Sequence, residues 1–586
     1  MSLGVIELSG RAARRAANRL ERVPIVKRLS AAFAALTVAA AASTAAAQSG
    51  QSRPATSAEP PALVVMIVVD QFSANLFNQH RARFTGGLRT LIDQGRVYPN
   101  GYHAHAATET CPGHATILTG VHPATAGIPG NDWHDAEAGA KTYCLASETA
   151  TLAHVPEGGE PTDNGPVGPE RLDASTLGDW LKAVSPDSRV FAVSGKDRGA
   201  ITLAGHQGDG AFWLTDDFGF TTYVRPGETA EVRLAPVAEF NADLRRGMSI
   251  GELTWDYTSE QCRALEADWT ISGRPFRAAL PPARFAVDVS PILDEITLDG
   301  AAMLIDTQQL GQRGVTDILG VSLSATDRIG HTFGSQGPEM CEQMLRLDLA
   351  LGQFLERLEQ LPGGVVVALT ADHGGGDFPE RWAAQGFTEA RWGGYDLMTG
   401  GNAAMRAQFD LDHDPLFFNS GFYVVDAEGR GMAGPERAEI AAAAAAWFSQ
   451  QPLVAAAFTL DDILGDPMPP RDLSVQELTL RQRHRLNAVA GRSADVLVSL
   501  DPGVMPGQGR PNAYVSGHGT PWDYDRRVPI LFWTPGGEGQ ERVLPIATID
   551  IAPTLAAVIG VDPEGQMDGR CLELGWGDAP ACPSGD

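Results

Sequence analysis

Residues 61–586 read as an α/β domain with a mostly parallel central sheet and helices on both faces. Two features carry that reading. Continuous apolar runs recur along the chain, as expected of strands buried on both faces. Helical stretches separate them, and such alternation builds a parallel sheet covered on both sides.

The first run, Ala62–Val69, ends at Asp70. Arg189–Val193 leads into Ser194-Gly195-Lys196-Asp197-Arg198. Asp317–Leu323 precedes Asp327, and 364–369 precedes Asp372-His373. Val528–Trp533 follows His518 at a short distance. Helices are expected over about 86–95, 173–184, 339–360 and 435–450, the third with good amphipathic spacing. Ligands of such sheets gather at the carboxyl ends of strands. In four of these segments the polar residues sit just past such an end. Residues from about 200 to 300 lack a long buried strand and are rich in turns and aromatics, so they read as a cap insertion. Smaller insertions are expected at about 400–430 and 455–490.

Residues 1–47 have the order of an export signal: seven Arg or Lys, an Ala-rich apolar stretch, then Ala45-Ala46-Ala47 as a cleavage site. A periplasmic or secreted protein is expected, with residues 48–60 as a flexible Ser/Pro/Ala-rich lead-in. No later segment is apolar enough for stable membrane insertion. Six cysteines fit up to three disulfides in an exported chain, and Cys571 and Cys582 are close enough in sequence to pair. No Cys-x-x-Cys occurs, which argues against a thiolate zinc site. Cys111 reads as a disulfide partner.

The net charge is −27, and the signal segment is basic, so the remainder is more acidic still. That balance excludes nucleic acid as a partner, because phosphate backbones call for basic patches. An enzyme acting on anions would need local cations to reverse the field at its site.

Asp327 and His331, at i and i+4, face the same way on a helical turn and can share an ion. Asp372-His373 is followed by three glycines, which permit close backbone approach. Asp70 ends a strand, and His518 lies between two glycines. Three Asp and three His are too many for one tetrahedral zinc and suit two ions with open positions. Thr108–Gly120 (TETCPGHATILTG) reads as a loop entering a helix, with Thr110 at the N-cap and Pro112 in the first turn. Helix N–H groups there attract phosphate, and a nearby metal can lower the cost of removing the hydroxyl proton.

Seven segments, VVDQ, TETCPGHATILTG, GIPGNDW, SGKDRG, SATDRIGH, TADHGGG and SGHGTP, occur between Val68 and Pro521. In type and order they resemble the alkaline phosphatase superfamily, above all its bacterial periplasmic PafA-type phosphomonoesterases with a threonine nucleophile. The resemblance implies two Zn²⁺ per chain. It implies Asp327, His331 and His518 as ligands of one ion, and Asp70, Asp372, His373 and the Thr110 oxygen as ligands of the other. It implies Asn131, Lys196 and Arg198 as the groups that bind the phosphoryl oxygens. The activity implied is hydrolysis of small phosphate monoesters at alkaline pH through a phosphothreonine. Diesterases of the superfamily lack the Lys-x-Arg pair, which matches the charge of a monoester dianion. The alternative is a phosphodiesterase or nucleotide pyrophosphatase on the same scaffold.

Overall fold

The computed structural model describes residues 60–155, 165–248, 255–281, 287–511, 513–576 and 582. The expected signal segment and most of the lead-in lie outside them. A ten-stranded sheet is built from β1 (Leu63–Val69), β2 (Arg96–Tyr102), β3 (Val190–Ser194), β4 (Gly210–Thr215), β5 (Gly219–Thr221), β6 (Asp317–Leu323), β7 (Val365–Thr370), β8 (Arg527–Trp533), β9 (Gln540–Glu541) and β10 (Ile546–Ala547). Its order is β9-β2-β8-β7-β1-β6-β3-β4-β5, with β10 also on β2. The block β7-β1-β6-β3-β4 is parallel throughout. β8 runs against it. This is the α/β architecture expected from the alternating pattern.

Every residue of β1 is fully buried, and its alternate side chains enter two separate cores. Leu63, Val65, Ile67 and Val69 pack on one face and Val64, Met66 and Val68 on the other, which is why the strand has no polar alternation. Helices cover both faces. Here α1 (Thr110–Thr119) and α2 (Asp197–Ala204) pack with the second group, and α3 (Ile292–Thr307), α4 (Ala325–Phe333) and α5 (Pro338–Leu358) with the first.

Register converts distant strand ends into one edge. Val68 of β1 pairs with Ser322 of β6 and with Thr370 of β7, and Ser322 pairs with Ser194 of β3. The residues just beyond them therefore leave the sheet side by side. Because β8 is antiparallel, its beginning lies at that same edge, which returns the chain after His518 to the site.

Two expected segments differ from the structure. Residues 210–221 are the outer strands of the main sheet, and α3 packs against the same core, so the segment interrupting it is narrower than 200–300. Each of these outer strands begins at a glycine and a turn separates them, so they do not show as one long apolar run. The pieces at 400–430 and 455–490 are joined rather than separate. Leu416–Phe418, Phe422–Val424, Val454–Thr459 and Val496–Leu500 form one four-stranded sheet. Helix Gly434–Phe448, expected from the main alternation, packs on this small sheet through Ile440, Ala444 and Phe448.

All six cysteines are paired: Cys111–Cys144, Cys262–Cys341 and Cys571–Cys582. The second closes a separation of 79 residues and the third one of 11. A cross-link removes more freedom from the unfolded chain when its loop is longer. Replacing Cys262 and Cys341 by Ala is expected to cost about 1–2 kcal/mol more than replacing Cys571 and Cys582. Denaturant titration of the two double variants measures the difference.

Candidate active site and metal centre

The six Asp and His side chains meet at the carboxyl edge of β1, β6 and β7. Asp70 follows β1 directly, and Asp372 follows β7 with one residue between. Asp327 and His331 lie on α4, one turn apart, with His331 Nε2 3.2 Å from Asp327 Oδ1. His518 Nε2 lies 3.4 Å from that same oxygen, and His373 Nε2 lies 3.4 Å from Asp70 Oδ1. Ligand atoms of Asp70, Asp372 and His373 are all within 4.8 Å of one another, as are those of Asp327, His373 and His518. His373 thus lies between the two groups.

The imidazoles are oriented alike. Nδ1 of His331 faces the Ser516 carbonyl, Nδ1 of His373 the Gly374 carbonyl and Nδ1 of His518 the Thr108 carbonyl, each at 2.8 Å. A carbonyl at Nδ1 fixes the proton there and leaves the Nε2 lone pair free, which is how ligating histidines are held. Asp70 Oδ1 and His373 Nε2 are buried and have no hydrogen-bond partner. This donor set fits cations: three buried carboxylates with inward imidazoles need positive charge among them. Burial, then the Asp327 and Asp372 charges, push the Asp70 carboxyl well above its ordinary range. His518 is held up at about 9: burial works to lower it, and Asp327 and Asp525 outweigh that.

Thr110 is buried, 1% exposed, and is the first residue of α1. The expected N-cap is displaced by one residue, to Glu109, whose side chain makes no capping bond. Asn131 takes over part of that role, its Oδ1 accepting the Cys111 N–H at 2.8 Å. With its oxygen so engaged, Asn131 has its amide NH₂ as the end left to donate. Its backbone N–H donates to Glu109 Oε2 at 2.7 Å. Gly113 lets the first turn of α1 come against Asp372, since a Cβ there would lie 2.0 Å from the Asp372 carbonyl oxygen. Arg198, in the first turn of α2, places Nη2 3.5 Å from Thr110 Oγ1.

Lys196 is the residue placed differently from its expected role. Its Nζ lies 2.5 Å from Asp70 Oδ2 and 2.6 Å from Asp327 Oδ2, joining carboxylates assigned to different ions. An ammonium beside two buried carboxylates is drawn to both.

Motif reading missed the supporting residues. Gln71 Nε2 donates to Asp327 Oδ1 at 3.0 Å. His103 Nε2 lies 2.9 Å from the carbonyl of Ala371, just before Asp372. His114 faces the Thr110 carbonyl through Nδ1 at 3.0 Å and Ser322 Oγ through Nε2 at 2.9 Å. Tyr143 donates to Asp197 Oδ1 at 2.8 Å. Gln71 and His114 stand inside the VVDQ and TETCPGHATILTG segments and Asp197 adjoins Arg198, whereas His103 and Tyr143 lie in none of the seven segments.

A family model described as type I phosphodiesterase / nucleotide pyrophosphatase matches residues 64–521. The alkaline phosphatase PhoD of Zymomonas mobilis is 38% identical over 536 residues, 89% of each chain. The chain belongs to the alkaline phosphatase superfamily. The alkaline phosphatase PhoK of a Sphingomonas species is also 38% identical, over 90% of this superfamily member and 93% of PhoK. The crystal structure of wild-type alkaline phosphatase PafA superposes with a TM-score of 0.74 at 25% identity, covering 86% of this chain and 97% of PafA. This member of the superfamily is therefore an enzyme of the phosphatase class, PafA-type in fold. Metal dependence follows for it from the same relatives and from the two ligand groups.

Proposed function

We propose that the chain hydrolyses small phosphate monoesters at alkaline pH, with Thr110 as nucleophile and two zinc ions as cofactors. The observation that carries this reading is the common orientation of His331, His373 and His518, whose Nε2 atoms turn onto buried carboxylates beside Thr110. Nitrogen and oxygen donors without thiolate suit zinc in an open catalytic site. Asp327, His331 and His518 would hold one ion, and Asp70, Asp372, His373 and the Thr110 oxygen the other. Bound zinc supplies Lewis-acid charge at the attacking and leaving oxygens.

The chain's own residues do the rest. Thr110 Oγ, its proton passed to hydroxide at alkaline pH, attacks phosphorus in line, and the P–O bond to the alcohol breaks, the leaving oxygen taking a proton from water. Water then cleaves the phosphothreonine, which returns the hydroxyl to Thr110 and releases inorganic phosphate. The Asn131 amide and the Arg198 guanidinium donate to phosphoryl oxygens. Lys196, whose ammonium lies between Asp70 and Asp327, would donate to a phosphoryl oxygen where bound cations neutralise those carboxylates. That local charge makes anion binding compatible with an acidic chain.

Export to the periplasm or beyond belongs to the same reading. Three disulfides among the described residues suit an oxidising compartment, and none of the described helices is long and apolar enough to cross a membrane. We assign residues 61–586 to one catalytic domain interrupted by the smaller segments described above.

The matching family model bears a diesterase description, so the decisive assay compares two substrates. With zinc supplied, kcat/KM for p-nitrophenyl phosphate is expected to exceed that for bis-p-nitrophenyl phosphate by at least about 100-fold. A faster diester reaction would favour the diesterase reading instead.

A further inference from the structure

Tyr143 lies in none of the seven motifs, yet it touches the cation expected to read the substrate's charge. Its ring is buried, 8% exposed, on the strand Ala140–Tyr143, opposite Asp132 of the strand Asp132–Asp135. Its hydroxyl donates to Asp197 Oδ1 at 2.8 Å and lies 3.5 Å from Arg198 Nη1. The other terminal nitrogen of Arg198 is the one at Thr110 Oγ1. We propose that Tyr143 is a positioning residue that sets monoester-over-diester selectivity by holding the Arg198 guanidinium against Thr110. The inference rests on the monoesterase reading of this site.

The geometry explains why a phenol is needed. Arg198 Nη1 is 4.0 Å from the Asp197 carboxylate, beyond hydrogen-bond reach. The Tyr143 oxygen is within reach of both, donating to the carboxylate while presenting a lone pair to the guanidinium. A proton donated to a carboxylate makes the phenol oxygen a better acceptor. Burial, then the Asp197 charge, push the phenol well above its ordinary range, so it remains a donor at alkaline pH. An arginine side chain otherwise has much rotamer freedom, and fixing it in advance lowers the cost of meeting a dianion.

Tyr143 is also tied to the nucleophile. Its neighbour Cys144 is bonded to Cys111, next to Thr110. The Cys144 N–H donates to the Asn131 carbonyl at 2.9 Å, and the Cys111 N–H to the Asn131 side chain. Thr110, Asn131 and Arg198 are thus linked through one short cross-linked arm. A dianionic monoester needs the Arg198 charge more than a singly charged diester does, so loss of Tyr143 is expected to act selectively.

The test measures kcat/KM for p-nitrophenyl phosphate and bis-p-nitrophenyl phosphate in the zinc-loaded wild type, Tyr143→Phe, Arg198→Ala and the double variant. Tyr143→Phe is expected to lower the monoester value about 10- to 100-fold and the diester value at least about fivefold less. In the Arg198→Ala background, Tyr143→Phe is expected to change the ratio of the two by less than about threefold. Equal losses on both esters, or a selective loss that persists without Arg198, overturn the proposal. If Tyr143→Phe fails to fold, Asp197→Asn replaces it under the same criteria. If Arg198→Ala leaves the ratio unchanged, the monoesterase reading falls and this proposal with it. If Arg198→Ala lowers the ratio and Tyr143→Phe does not, the role of Tyr143 alone is refuted.

Discussion

Thr110→Ala lowers kcat/KM for p-nitrophenyl phosphate by about a thousandfold or more, with little change in fold. The expectation follows from placement. Thr110 opens α1, is almost fully buried, and has the Arg198 guanidinium at its oxygen. In the proposed mechanism that oxygen is the atom that would form the covalent bond, and nucleophile deletions cost several orders of magnitude even when binding survives. Stability should change by less than about 1 kcal/mol, because the hydroxyl does not cap the helix and Ala fits its first turn. Rapid quench with ³²P-labelled substrate gives an independent readout. Wild type and Thr110→Ser should carry acid-stable label, and Thr110→Ala none. Turnover near wild type in Thr110→Ala would remove the threonine from the mechanism.

Removal of metal is expected to abolish turnover and to lower the melting temperature by several degrees, both restored by zinc. Each ion bound at a thousand times its dissociation constant stabilises the folded state by about 4 kcal/mol. The carboxylates of Asp70, Asp327 and Asp372 are buried together, and Lys196 then becomes the main internal cation among them. This gives a sharper contrast. Lys196→Met should destabilise the metal-free protein by about 3–5 kcal/mol, since it strands two buried carboxylates. In the zinc-loaded protein the cost should be much smaller, because the ions take over the neutralisation. Calorimetry of both forms, with metal counted by mass spectrometry, tests the pair of statements. Full activity after exhaustive chelation would refute the metal assignment.

Much of this arrangement was legible in the chain. β1, β6, β7 and β8 are apolar enough to announce themselves, because strands covered on both faces carry mostly apolar residues. The candidate ligands could be listed because each stands in a short motif at a strand end, on a helical turn or between glycines. β4 and β5 were hidden, since short outer strands with glycine resemble loops. The N-cap was misplaced by one residue because Asn131, 21 positions after Thr110, engages the helix start.

What the sequence by itself determined is local: the kind of elements, the donor atoms available, and the export-compatible cysteine content. What only tertiary structure decided is juxtaposition. The alignment of Val68 with Ser322 and Thr370, the pairing of Cys111 with Cys144, and the contact of Tyr143 with Asp197 each join residues far apart in the chain. A pattern of 2 or 3.6 residues reports which face of an element is buried. It does not report which other element lies against that face, because long-range packing is settled by the fit of whole surfaces in three dimensions.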